Sequence, residues 1–298
     1  MASVNETPQY KIIYMSSHNG LVLFRGITSS FFNRTGHIGV ASLKKFFMHA
    51  AMVAFGDGYF DRTKIDTDST RAFLVSQGMR MSLQLYSDIA HLSSSNLLVE
   101  VRAAAVGRTS MTNLYILSCA DTKIELARCV TTLVCTSVDS RRPTPLPKWF
   151  TEKYKSVTDT NLDILKDGVK TSREFRHVPQ DCFRIEIKTR YSDTDFNDHV
   201  NQSEYIQFCL ESATGATRSG YYRHFTSDIL WYPVLESDII HLGESRACEM
   251  LTIYTWQDKT NIQIIHFSIH NKSSSKCVAV ATIKFDTGSL RPQANSSL

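Results

Sequence analysis

The feature that most narrows the fold of this 298-residue chain is an internal repeat. The segment FFNRTGHIGVASLKKFFMHAAMVAF begins at Phe31, and RYSDTDFNDHVNQSEYIQFCLES begins at Arg190. Each reads as a polar turn with a histidine that runs into an apolar helix. Gly36-His37-Ile38-Gly39 falls on Asp198-His199-Val200-Asn201, Leu43 on Tyr205, and Phe46 on Phe208. The apolar spacing predicts helices near residues 40–55 and 201–217, because Val40, Leu43, Phe46, Phe47, Ala50, Ala51 and Ala54 share one helical face. Val200, Tyr205, Cys209, Leu210, Ala213 and Ala216 do the same in the second copy.

About four strand patterns follow each helix. In the first half they are MRMSLQLYSDIA, NLLVEVRAAAVGRT, MTNLYILSCAD and KIELARCVTTLVCTSV. In the second they are DILWYPVLESDIIHL, RACEMLTIYTWQDK, NIQIIHFSIHN and KCVAVATIKFDTG. This pairs Tyr86-Ser87-Asp88-Ile89 with Glu236-Ser237-Asp238-Ile239 and gives the first half a longer connection after its helix. Ahead of the second helix, FRIEIKTRYSD alternates with period 2 and places Phe183, Ile185 and Ile187 on one strand face. A hairpin is expected near the N-terminus, with strands around Lys11–Met15 and Leu21–Arg25 and a turn at His18-Asn19-Gly20. The order is α+β. Residues 10–140 and 179–288 form the two units, and 141–178 joins them.

Where strand meets helix in the second half, Asp193, Asp195, Asn197, Asp198, His199 and Asn201 cluster. A helix start offers unpaired N–H donors and a positive dipole end. A carboxylate, an amide and an imidazole beside it could polarise a carbonyl and steer water. The same composition also suits a polar loop with an Asx cap, in which Asn201 or Ser203 caps the helix.

The pattern D-x-D-x-N-x-H-V-N, then Y-I and L-E-S, resembles the active-site segment of the hotdog-fold thioesterases. It is most similar to the acyl-acyl-carrier-protein thioesterases of plants and bacteria. The matching residues are Arg190, Asp193, Asp195, Asn197, His199, Val200, Asn201, Tyr205, Ile206, Leu210, Glu211 and Ser212; Gln202 stands where the family usually has a second Asn. The resemblance implies a tandem (double) hotdog, each unit an antiparallel sheet wrapped around one long helix, with the sheets side by side. It implies hydrolysis of fatty acyl-coenzyme A or acyl-carrier-protein thioesters without a cofactor or metal. Asp195, Asn197 and His199 would be catalytic, with Asp195 as general base or nucleophile. Asn201 and Tyr205 would bind substrate.

In the first half Asn33 takes the place of Asp195, Thr35 that of Asn197 and Gly39 that of Asn201. An amide cannot act as a base near neutral pH, so the first half reads as catalytically silent. The plant-type family has a further Glu next to a Cys on the strand after the helix. Aligning Asp238 with the family's Asp on that strand puts Val234 and Leu235 at those two places, with Glu236 as a possible replacement or a surface acid. A non-catalytic acyl-thioester-binding or scaffold protein is the competing function, and a hotdog hydratase or dehydratase is a third.

Composition excludes other classes. A net charge of +4 suits an anionic small ligand and is too weak to argue for nucleic acid. No apolar window approaches the ~20 residues of a membrane span. The seven cysteines are scattered and odd in number, without C-x-x-C, which predicts reduced thiols and a cytoplasmic setting. The N-terminus lacks signal-peptide and transit-peptide character. The C-terminal Ser-Ser-Leu lacks the basic middle residue of the peroxisomal address it resembles. G-x-S-x-G and Gly-rich phosphate loops are absent, which argues against serine hydrolases and nucleotide-dependent enzymes. The expected assembly is a monomer with pseudo-dimeric halves or a homodimer.

The connector, with Pro143, Pro145 and Pro147, reads as an extended linker or as a segment packed across the sheets, with Trp149 and Phe150 as anchors. His266 and His270 share a strand face and read as sheet surface. Tyr221-Tyr222-Arg223-His224 reads as a loop or a pocket mouth, and Cys209 as core.

Overall fold

The computed structural model describes residues 9–87, 94–157, 169–195 and 197–288. The first half holds β1 (Tyr10–Met15), β2 (Asn19–Arg25), helix α1 (Val40–Gly56), β3 (Thr70–Met81), β4 (Asn96–Val106), β5 (Ser110–Cys119) and β6 (Glu125–Ser137). The second holds β7 (Phe183–Lys188), helix α2 (Gln202–Arg218), β8 (Val234–His241), β9 (Met250–Gln257), β10 (Ile264–Asn271) and β11 (Cys277–Phe285). The strands form one antiparallel sheet in the order β1-β2-β4-β5-β6-β3-β8-β11-β10-β9-β7.

That order contains the repeat. Setting aside the edge strand β1, each half runs first, third, fourth, fifth, second strand, and the two second strands meet. The seam is the β3–β8 ladder, from Ser76↔Ile240 to Arg80↔Glu236. The fold is therefore an α+β double hotdog, with two curved sheets continued side by side and one long helix packed in each. The helices are the same length, and their ends correspond at one offset: Val40 to Gln202 and Gly56 to Arg218 both differ by 162.

Each helix is held by its apolar face. In α1, Phe46 packs edge-on against Phe24 with ring centres 4.8 Å apart, and Phe47 approaches Tyr115. Each fully buried side chain of this size contributes about 1.5–3 kcal/mol. In α2, Gly215 faces β7, where a Cβ would stand 3.2 Å from the Phe183 ring, so the bare backbone sets how closely helix and strand approach. Among the described residues no helix is long and apolar enough to cross a membrane.

Two sequence expectations are corrected. The first strand after α1 is Thr70–Met81, where 79–90 was expected. After it the chain makes a helical turn at Gln84–Ser87, so Tyr86 is not a strand residue. Asp88 and Ile89 lie outside the described residues, as does the C-terminal Ser-Ser-Leu. In space, Gly78 is the residue opposite Asp238. The connections after the two helices, 57–69 and 219–233, are thirteen and fifteen residues, so the first is not the longer one. The polar run ending in Thr70-Arg71-Ala72 hid the strand start, because β3 carries a bulge between Leu74 and Ser76 that breaks its alternation.

The connector packs across the structure. Phe150 is fully buried in a helical turn, Lys148–Lys153, while Trp149 is 42% exposed, so of these two Phe150 is the anchor. Further on, the backbone N–H groups of Val169 and Thr171 donate to Glu236 Oε2 (2.7 Å) and Asp238 Oδ2 (2.8 Å). Burial beneath this strap raises the Asp238 carboxyl from 3.8 to about 6, although the Thr171 bond favours the anion. The folded chain thus holds this proton more tightly than the unfolded chain. Stability from this group is highest below 3.8 and falls as pH rises towards about 6. Asp238→Asn, which keeps an acceptor for Thr171, is expected to flatten that fall in denaturant titrations; an unchanged slope would exclude Asp238 as its source.

Candidate active site

The site forms where β7 ends and α2 begins. Thr189, just past β7, is tied to the strand-leading loop by its N–H to Glu249 O and by its hydroxyl to Arg246 O. The chain then makes a 3-10 turn, Tyr191–Asp193, rather than continuing as a strand. Asp193 is buried and accepts bonds from the backbone N–H (2.8 Å) and the guanidinium of Arg190, while its carbonyl takes the Asn201 N–H at 2.7 Å. Asp193 therefore shapes the turn and does not share a strand face with Asp195.

Asp195 closes the loop. Its N–H donates to His199 O at 2.8 Å, and its Oδ1 accepts the Asn197 N–H at 2.8 Å, an Asx turn. Asp198 takes the left-handed conformation this turn requires, with φ +59°. Asn197 is exposed, whereas Asp195 and His199 are half-buried. The loop thus carries a half-buried carboxylate, an exposed amide and a half-buried imidazole within one turn.

The first half has the same loop. Asn33 N–H donates to His37 O at 2.8 Å, Asn33 Oδ1 accepts the Thr35 N–H at 2.9 Å, and Gly36 sits at φ +80°. The turn is built equally well by an amide or an acid, so what differs between the halves is chemistry and not shape. This first loop docks on the turn Ile229–Trp231, where Leu230 O accepts from Thr35 Oγ1 (3.1 Å) and meets His37 Nδ1 (3.3 Å). Arg34 holds Asp228 beside it with two short bonds. A cavity of about 180 Å³ lies there between His37, Val40, Leu210, Leu230 and Val234.

The acid that meets His199 is Glu244, which the sequence reading missed. Its Oε2 lies 3.3 Å from His199 Nε2, and Arg141, at the start of the connector, donates to the same oxygen at 2.6 Å. Val234, where alignment placed the family's Glu, instead borders the first-half cavity. Glu236 points to the other sheet face, between the strap, Lys284 and Arg80. The signal available in the sequence was Glu244-Ser245, an acid followed by a small polar residue. It falls after β8, beyond the strand on which the acid was sought.

The two residues expected to bind substrate are placed otherwise. Asn201 caps α2, its Oδ1 accepting the Ser203 N–H (2.9 Å) and hydroxyl (2.7 Å). Tyr205 is 2% exposed and stands edge-on to His241 with ring centres 5.3 Å apart; burial pushes its phenol up to about 12. The start of α2 is further tied to the first half. Lys44 Nζ donates to Gln202 O (2.7 Å), Gln202 Nε2 donates to Leu74 O (3.1 Å), and Lys45 pairs with Glu204 at 2.6 Å. The site is thus set by both halves although its loop comes from one.

The other residues singled out have structural places. His266 is buried beneath Phe175, between Asp258 Oδ2 (2.9 Å) and Thr282, and is not open sheet surface. His270 meets Ser268 Oγ at 2.8 Å. Tyr222 and Cys209 are core.

Comparison with known proteins agrees with the double-hotdog fold. Residues 177–222 match the family model of the acyl-ACP thioesterase C-terminal domain. No curated protein sequence matches the chain. Among solved structures, an acyl-ACP thioesterase from Bacteroides thetaiotaomicron aligns at 13% identity and a TM-score of 0.67, covering 90% of this chain and 98% of its own. The 12:0-ACP thioesterase from Umbellularia californica aligns at 15% identity and a TM-score of 0.67, covering 89% of this chain and 97% of its own. At such identities the likeness is one of fold, and it extends over both halves.

Proposed function

We propose that this chain hydrolyses acyl thioesters of coenzyme A or of acyl-carrier protein to the free acid and the thiol. The observation that carries the reading is the loop before α2, which bears Asp195, Asn197 and His199 within the segment 177–222 that matches the thioesterase family model, with Glu244 reaching His199 from outside that segment. Residues 10–140 serve as the silent unit, 179–288 as the catalytic unit, and 141–178 as their linker.

Asp195 activates water against the thioester carbonyl, or attacks it to form a mixed anhydride that water then opens. Asn197 steers the water or the thioester oxygen. His199, steadied by Glu244 at 3.3 Å, hydrogen-bonds the reacting groups. Backbone N–H groups near the helix start receive the developing oxyanion, an interaction typically worth about 3 kcal/mol per donor. With Asn201 and Tyr205 engaged in the fold, their contribution to substrate binding is to hold the helix start in place.

Thiol release from a panel of acyl-coenzyme A and acyl-carrier-protein substrates tests the activity. Glu244→Gln is expected to lower kcat about 10-fold or more with little change in KM, because it acts on the histidine. No thiol from any substrate would favour the binding-protein reading, and double-bond chemistry without thiol release a hydratase.

A further inference from the structure

One row of the sheet beneath α1 is polar where a hotdog core should be apolar. Gln77 on β3 stands opposite Thr131 on β6 and opposite Ile239 on β8. Residues directly opposite in an antiparallel ladder share a face, and so do residues two apart along a strand. Gln77, Cys129 and His241 therefore all look to the helices. From α1, Lys44 enters the same space with no exposure to solvent, its Nζ held only 2.7 Å from Gln202 O. Lys44 is within electrostatic reach of Cys129, Cys209 and His241. Burial lowers its amine to about 7.

Two atoms of this cluster lack partners among the described residues. Gln77 is 2% exposed and gives its Nε2 hydrogen to Cys129 Sγ at 3.0 Å, but its Oε1 accepts nothing. His241 Nε2 is likewise shut from solvent and unpaired. Buried polar atoms without partners are rare, because the water they lose is not replaced. A leucine at each position would fill the space without that loss. The cluster is also continuous with the active site: Tyr205 packs on His241, and Gln202, which Lys44 holds, follows the cap of α2.

Taking the thioesterase reading as its premise, we propose that this cluster is a subsite for a hydroxyl group on the substrate's acyl chain. The chemistry selects a hydroxyl over a carbonyl. Gln77 Oε1 needs a donor, which a hydroxyl supplies and an oxo group does not. The hydroxyl oxygen accepts in turn from Lys44, whose amine has hydrogens beyond the one given to Gln202, or from His241 Nε2. A plain acyl chain in the same place leaves both orphaned atoms unpaired, so the site discriminates against it.

The test compares kcat/KM for coenzyme A thioesters of one chain length, either plain or bearing a hydroxyl or an oxo group at successive carbons. At one position the hydroxyacyl thioester should exceed both the plain and the oxo substrate by about 10-fold or more. Gln77→Leu should erase that preference while plain substrates are still cleaved. A wild-type enzyme that prefers the plain chain at every position overturns the proposal, and so does a Gln77→Leu variant that keeps the hydroxyl preference. A variant that fails to fold leaves the wild-type comparison decisive. If no thioester is cleaved, the thioesterase reading falls by itself. Calorimetry with the free hydroxy acids and their plain parents then decides the subsite, and equal binding or none would mean that the cluster holds buried water only.

Discussion

Asp195→Asn is expected to lower kcat by at least ~100-fold, the low end of what removal of a general base costs and equivalent to about 2.7 kcal/mol of barrier. The molecule carries its own control for this variant. In the first half Asn33 occupies the same place and makes the same turn, its Oδ1 accepting the Thr35 N–H at 2.9 Å where Asp195 Oδ1 accepts the Asn197 N–H at 2.8 Å. An asparagine is therefore compatible with the loop, and the variant should fold and melt like wild type. Loss of turnover with an unchanged melting curve assigns the loss to chemistry. Near-wild-type turnover would remove Asp195 as base or nucleophile, and Glu244 would become the acid to test.

Phe150→Ala is expected to destabilise the protein by about 3–5 kcal/mol, the range for a fully buried aromatic truncated in a core. Its ring lies 4.6 Å from that of Tyr154 and 5.3 Å from that of Phe60, centre to centre, and it has no exposed surface. Tyr154 in turn donates its hydroxyl to Asp61 Oδ2 at 2.7 Å, where Lys153 also binds. One ring thus pins the start of the connector to the loop after α1. Its neighbour Trp149, 42% exposed, supplies the contrast: Trp149→Ala should cost much less. Urea unfolding of both variants measures the difference, and equal small losses would show the connector to be a loose tether.

Much of the fold was legible because periodicity survives in a chain whose elements are long. Both helices are where their apolar stripes put them, since a 17-residue helix with one buried face leaves little freedom of register. The repeat was legible for the same reason, and the shared turn of Asn33 and Asp195 shows why: the hydrogen bonds of an Asx turn need an acceptor oxygen at one position and a permissive residue three later, here Gly36 or Asp198. The strand β3 was misplaced because a bulge interrupts its alternation, and local pattern is all that sequence spacing can read.

The sequence by itself determined the repeat, the two helices, the α+β order and the polar loop at Asp195, all of which are local in the chain. Only the tertiary structure decided which residues complete that loop. Glu244 comes to His199 and Arg141 to Glu244 from segments that no local spacing connects, and Lys44 reaches the start of α2 from the other half. Lys44 also sits in an otherwise apolar helix face, where the pattern gives no sign of a buried amine. The physical reason is the β3–β8 seam: pairing the two sheets edge to edge turns what would be two outer surfaces into one interior, and which polar groups share that interior is set by register across the seam.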